Sequence, residues 1–377
     1  MIKTLFVQIN TPENYLLTQA EINYTWNTIG TIIGRPVNLI YSEHTQKVDI
    51  YFGAKFSSKA SLSIIATELN KETIKKPTSH QWEQDLLFLN FEPHSPTTSG
   101  PLIEQTKEGQ IIHNDIIFNC FYMLSGWHEQ SLSRNHRGFH QLNESYLHKN
   151  HLLHTPIVNI YAHYLKSLFE IQSDSLPLWP EGATQALCLT HDVDYPNMIR
   201  SIEAFRYILT HKTHSKLKDL WNIFTGKEHF WKFQEWVQLE SKYNIKSAFY
   251  FSAIKSNLLR FFLKAPDPFY NIRTRKYKNM IRQLHASGKE IGLHSSYLAY
   301  LSEEAFAKEK TTLEQVYGAT IAGNRHHFWH LNQAHPEETT LIHEKLGFTY
   351  DTSLSFEYHS GFRRGICTPF HLFNRIT

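Results

Sequence analysis

The stretch Ala186-Leu187-Cys188-Leu189-Thr190-His191-Asp192-Val193-Asp194 decides how the second half of the chain is read. A short apolar run ends abruptly in two carboxylates one residue apart, the pattern of a buried strand that delivers chemistry at its C-terminal end. Side chains alternate along a strand, so Asp192 and Asp194 share one face while His191 and Val193 take the other. Two carboxylates on one face repel each other unless a cation or a proton lies between them. A divalent metal meets that need; the plainer alternative is a solvated turn ahead of Pro196.

Downstream, strand-like and helix-like runs alternate. Helical sequence near Ser201–Leu209 and on to Lys242 leads to a strand at Ser247–Ser252, a helix at Thr274–Ala286 and a strand at Glu290–His294. A helix from Ser302 to about Gly318, a strand at Asn324–Trp329, a helix at Pro336–Leu346 and a strand at Phe348–Ser353 complete the series. Such alternation predicts a parallel sheet with right-handed crossovers, doubly wound or barrel-like, with its site at the C-terminal strand ends. The chemically capable residues fall at those ends: Asp192 and Asp194, then His294, then Arg325 and His327, then Asp351. In a chain with 24 histidines one such residue means little, and His211-x-x-His214 or His326-His327 can be accidents of composition. Convergence of several groups at equivalent positions favours a metal site.

The first half reads as a smaller α/β domain. A strand at Thr4–Ile9 precedes a helix with Leu16, Ile22, Trp26, Ile29 and Ile33 on its apolar side, stopped by Gly34-Arg35-Pro36. Strands are expected at Val37–Tyr41, Val48–Phe52 and Leu86–Phe91, with Ala60–Leu69 helical between them. Beyond the Pro/Ser/Thr-rich loop from Pro93 to Pro101, helices are expected at Asp115–Trp127 and after Thr155-Pro156. The Pro/Ser/Gly-containing segment Gln172–Ala183 sets the expected division into 1–175 and 176–377. No glycine-rich phosphate loop or ligand cluster assigns chemistry to the first part.

Composition narrows the function classes. With 38 basic and 35 acidic residues the net charge of +3 forms no basic stripe, which argues against a nucleic-acid partner. Three scattered cysteines, Cys120, Cys188 and Cys367, make no disulfide framework, and Cys188 reads as a buried residue of its strand. The first ten residues look like a strand rather than a signal peptide, and no run approaches the roughly 20 apolar residues of a membrane span. A cytoplasmic setting is the expectation.

Thr190-His191-Asp192-Val193-Asp194 resembles the first motif of the NodB-type polysaccharide deacetylases, carbohydrate esterase family 4. Glu290-Ile291-Gly292-Leu293-His294-Ser295 is similar to the second motif, Asn324-Arg325-His326-His327 to the arginine-containing third, and Tyr350-Asp351-Thr352-Ser353 to the fourth. The segment from Gly361 to Phe370, Gly-Phe-Arg-Arg-Gly-Ile-Cys-Thr-Pro-Phe, resembles one subgroup that also carries an N-terminal extension. The fold implied is α/β, an incomplete deformed (β/α) barrel of the NodB glycoside hydrolase-deacetylase type, preceded by a smaller α/β domain.

The resemblance implies Asp192 as general base, Asp194 and His294 as metal ligands, Arg325 holding Asp192, and Asp351 as a further catalytic residue. A divalent ion, Zn²⁺ by its imidazole and carboxylate ligands, would activate water against the acetyl carbonyl of an N- or O-acetylated glycan or sugar conjugate. Leu298 stands where most members carry a second histidine, which makes His327 the candidate third ligand. The sequence given stops at Thr377, ahead of the family's last strands and the Leu-x-His motif that supplies its general acid. A catalytically silent glycan-binding relative and a hydrolase of non-carbohydrate C–N bonds therefore stay open. Tyr195, Tyr297 and Trp329 are the aromatic residues expected near the mouth of the site, where sugar rings could stack.

Overall fold

The computed structural model describes residues 3–42, 47–69, 74, 76–91, 101–169, 176–196, 216–225, 230–256 and 267–374. It is a mixed α/β protein built on largely parallel sheets, in two compact units: Met1–Ala186 with Phe356–Thr377, and Leu187–Ser355. No helix among the described residues is long and apolar enough to cross a membrane.

In the first unit β1 (Leu5–Asn10) leads into α1 (Gln19–Ile33), followed by β2 (Val37–Ile40), β3 (Val48–Gly53) and β4 (Ala60–Ile65). Helix α1 starts at a reciprocal cap: the Thr18 hydroxyl accepts from Glu21 N, and the Glu21 carboxylate accepts from Thr18 N. It stops where the sequence predicts, at a left-handed Gly34. The hairpin β5 (Ser79–Glu83) and β6 (Leu86–Asn90) forms a two-stranded sheet of its own, while β7 (Ile103–Gln105) and β8 (Gln110–Ile112) complete a six-stranded sheet in the order β2-β1-β3-β4-β8-β7. Helices α2 (Ile116–Leu124) and α3 (Ile157–Leu168) share a core with α1 around Trp26, Phe118, Phe121 and Tyr161. Ala60–Leu69, expected to be helical, is a strand as far as Ile65. Ala60, Leu62 and Ile64 alternate onto the buried side, and pairing with β3 (Ile50 with Leu62) settles a period that so short an apolar run leaves ambiguous.

The segment Phe356–Thr377, assigned by sequence to the second domain, clusters with the first unit instead. Phe356 and Ile366 enter its core. Arg363 donates to both carboxylate oxygens of Glu129 at 2.7 and 3.1 Å, and Arg364 adds a third bond at 2.9 Å. Burial alone pushes the Glu129 carboxyl upward, but the two guanidiniums outweigh it and hold the group well below the usual carboxylate range.

The second unit follows with β9 (Leu189–Val193), α4 (Lys216–Thr225), α5 (Phe233–Ser241), β10 (Ser247–Phe251), α6 (Arg275–Ala286) and β11 (Glu290–Ser295). Then come α7 (Glu303–Tyr317), β12 (Gly323–His326), α8 (Pro336–Lys345) and the two-residue β13 (Tyr350–Asp351). All five strands are parallel in the order β13-β12-β11-β10-β9, each beside its predecessor, so the winding is single and not the doubly wound alternative. Helix α7 is capped by Ser302, whose hydroxyl accepts from Ala305 N, and ends at a left-handed Gly318. Cys188 is exposed rather than buried, because it lies just ahead of β9 on the sheet edge. The helix expected near Ser201–Leu209 and the pair His211 and His214 lie outside the described residues.

Register sorts the side chains of this sheet. Asp192, Tyr250 and Gly292 are neighbours across β9, β10 and β11; His294 pairs with Arg325, and Gly323 with Tyr350. These residues share one face with Asp194. The opposite face carries Val193, Phe249, Phe251, Ile291 and Leu293, which pack with Ile281 and Leu284 of α6 and Phe306 and Leu313 of α7. Gly292 and Gly323 make room on the polar face. A Cβ on Gly292 would stand 2.5 Å from the Tyr250 ring, and one on Gly323 2.2 Å from that of Tyr350.

Candidate metal centre

Asp194 follows directly on β9, His294 sits near the end of β11, and His327 begins the turn after β12. Asp194 Oδ1 lies 3.2 Å from His294 Nε2 and 3.6 Å from His327 Nε2, and the two imidazoles meet edge to face with centroids 5.0 Å apart. Four ligands around one Zn²⁺ at 2.0–2.2 Å sit about 3.4 Å from each other by tetrahedral geometry, so these separations have the right size. Both histidines are buried, whereas the Asp194 side chain keeps 32% of its surface exposed, so the point they face is open on one side.

Hydrogen bonding sets the histidine tautomer. His294 Nδ1 lies 2.8 Å from the Arg325 carbonyl oxygen, which only accepts, so Nδ1 carries a hydrogen and Nε2 is left toward Asp194. Neither His294 Nε2 nor Asp194 Oδ1 has a hydrogen-bond partner, although both atoms are buried. Buried polar atoms without partners are costly, and a cation shared between them removes the cost. The residues present therefore fit a divalent ion. Burial lowers the proton affinity of His294, but the nearby negative charges of Asp194 and Asp192 outweigh it and raise its pKa. Burial raises that of Asp194, and His294 and His327 reverse it.

Asp192 stands beside this triad, its Oδ1 3.0 Å from Arg325 Nη1. Arg325 is fixed twice more, by Nε donating to Thr352 Oγ1 at 2.9 Å and by the Tyr250 ring 4.8 Å from its guanidinium carbon. Among the five residues brought together here, Asp351, expected to be catalytic, is missing. It pairs in register with Asn324, so its side chain points to the other face of the sheet from Arg325. There it accepts from Asn324 Nδ2 at 2.8 Å and from Ser353 N and Oγ at 2.7 and 2.9 Å.

His326 and His343 join Asp351 in a second group of metal-capable residues. Its dimensions argue for another use. His326 Nε2 and His343 Nε2 are 2.9 Å apart, the length of a direct hydrogen bond between imidazoles, and His343 Nδ1 is 3.7 Å from Asp351 Oδ2. This is a polar link between β12, α8 and β13, with Phe306 edge-on to both rings.

The turn after β12 is under backbone strain. Phe328 and Trp329 both have positive φ, 56° and 52°, costing about 1–3 kcal/mol each for residues with side chains. That turn directs the His327 imidazole back toward Asp194 and leaves Phe328 41% exposed. Tyr195 is exposed as well, but one face of the Tyr297 ring is covered by His330 at 3.8 Å. Thr352 lies in the fourth motif-like segment, but two residues of the neighbourhood carried no sequence signal of their own: Tyr250, and Asp267, whose Oδ1 accepts from Tyr297 N at 2.7 Å and lies 3.5 Å from His327 Nδ1. Only the Pro266-Asp267-Pro268 setting marks Asp267 as a fixed position.

Residues 8–173 match a family model described as "Family of unknown function (DUF7033)". Among solved structures, one described as "putative polysaccharide deacetylase from Mycobacterium smegmatis" aligns with 18% sequence identity and a TM-score of 0.27. That alignment covers 47% of this chain and 54% of the other, so the match spans about half of either protein. A search of curated proteins found no match.

Proposed function

We propose that the second unit is a metal-dependent hydrolase that removes acetyl groups, from nitrogen or oxygen, from a glycan or sugar conjugate, on a deformed barrel of the NodB type. The observation that carries this is the triad Asp194, His294 and His327, spaced for one ion and open on one side, with the Asp192–Arg325 pair at its edge. Three of the four sequence segments that resemble deacetylase motifs supply all five of these residues.

Asp194, His294 and His327 would hold the ion, Zn²⁺ by the chemistry of the donors. Bound there, the ion supplies Lewis acidity toward the acetyl carbonyl and makes water a better nucleophile at neutral pH. Asp192 is the base: Arg325 engages its Oδ1, leaving Oδ2 to take the proton of the attacking water. Arg325, locked by Thr352 and Tyr250, orients that carboxylate. Phe328 and Tyr195 offer exposed rings to a sugar at the mouth.

The test is about one bound Zn²⁺ per chain, with acetate released from N-acetylated oligosaccharides, and both lost in Asp194→Ala. One observation favours a silent glycan-binding module: the exposed Leu298 occupies the position of the family's second histidine. Glycan binding by zinc-loaded protein without acetate release would decide for that reading.

A further inference from the structure

We infer that Asp267 is a positioning residue for His327, holding its imidazole in the tautomer that turns Nε2 toward the metal; this rests on the triad being a metal site. His327 lies between two carboxylates, with Asp194 Oδ1 3.6 Å from Nε2 and Asp267 Oδ1 3.5 Å from Nδ1. A neutral imidazole has one ring proton to place. On Nδ1 it faces Asp267, and the lone pair of Nε2 then faces the point shared by Asp194 Oδ1 and His294 Nε2. His294 is held in the same sense by a different acceptor, the Arg325 carbonyl. The two histidines are thus oriented alike by a backbone oxygen on one side and a side-chain carboxylate on the other, the outer support that fixes metal-binding imidazoles.

Asp267 is suited to this by how it is held. Its side chain is fully buried, Tyr297 N donates to Oδ1, and the carbonyl of the adjacent Pro268 accepts from Ser256 N at 2.8 Å. At 3.5 Å the contact with His327 is longer than a formed hydrogen bond, and such contacts tighten when a site fills.

Asp267→Asn keeps an oxygen for Tyr297 N and removes the charge facing His327, and Asp267→Ala removes the acceptor as well. The expected result is zinc affinity about 10–100-fold weaker, with the unfolding midpoint of the metal-free protein unchanged. In metal-free wild type at alkaline pH, imidazole ¹⁵N shifts should place the His327 proton on Nδ1. Wild-type zinc affinity in both Asp267→Asn and Asp267→Ala overturns the inference. So does an Nε2-protonated His327 in the wild type. Failure of the wild type to take up zinc would defeat the metal site itself, and the tautomer measurement would still decide the role of Asp267.

Discussion

Arg325 and Asp192 meet at 3.0 Å although they belong to β12 and β9, with β10 and β11 between them. Strands three places apart in a flat sheet are separated by about 14 Å, further than an arginine reaches with a short aspartate at the other end. The sheet must therefore curl strongly toward its polar face, and the ion pair reads out that curvature. Arg325→Lys keeps the charge but loses the fork that serves Thr352 and Asp192 together. We expect kcat for acetate release to fall by on the order of 100-fold, the scale of general-base assistance, with bound zinc unchanged. Loss of zinc along with activity would show that Arg325 maintains the triad rather than the base.

A methyl group tests the packing on the same face. Gly323→Ala brings a carbon to 2.2 Å from the Tyr350 ring, which is itself tied by its hydroxyl to Glu290 at 2.5 Å. Overpacking of this kind costs about 1–3 kcal/mol. The denaturant midpoint of the second unit should drop accordingly, and Gly323→Ala combined with Tyr350→Ala should recover part of the loss.

One source of acid sensitivity lies in the first unit. The folded-state pKa of Glu129 is depressed, so its contribution is present above the unfolded value of about 4.3 and is lost as pH falls through the lower folded value. Stability should therefore decline below about pH 4, and the decline should be shallower in Glu129→Gln. At neutral pH that variant leaves two buried guanidiniums without their carboxylate and should cost about 3–5 kcal/mol, measured by thermal or denaturant unfolding.

The second histidine group should prove structural. His343→Leu removes the bond to His326, and we expect a loss of about 1–3 kcal/mol for the polar groups left behind, with zinc content the same as wild type. A drop from two bound ions to one would reverse this assignment.

Much of the second unit was legible because its signals are local. The alternation rule put Asp192 and Asp194 on one face, and Ser302 and Gly318 marked both ends of a helix. The same rule could not sort Asp351 from Arg325, because that depends on the pairing of Asn324 with Asp351, and register between strands is not written in either strand alone. Asp267 was invisible for a similar reason: sixty residues separate it from His327, and a lone carboxylate between prolines looks like a turn. The C-terminal segment escaped because what holds it is Glu129, more than 200 positions earlier.

Strand β12 has a consequence for anyone who surveys substitutions across it. Asn324 and His326 look toward the helices, Arg325 toward the proposed chemistry, and the change of direction occurs at every step. A residue-by-residue scan should thus yield two interleaved phenotypes, insoluble protein at the even numbers and well-behaved but inert protein at 325. A screen that records activity alone would merge them into one intolerant block and hide the boundary between architecture and reactivity.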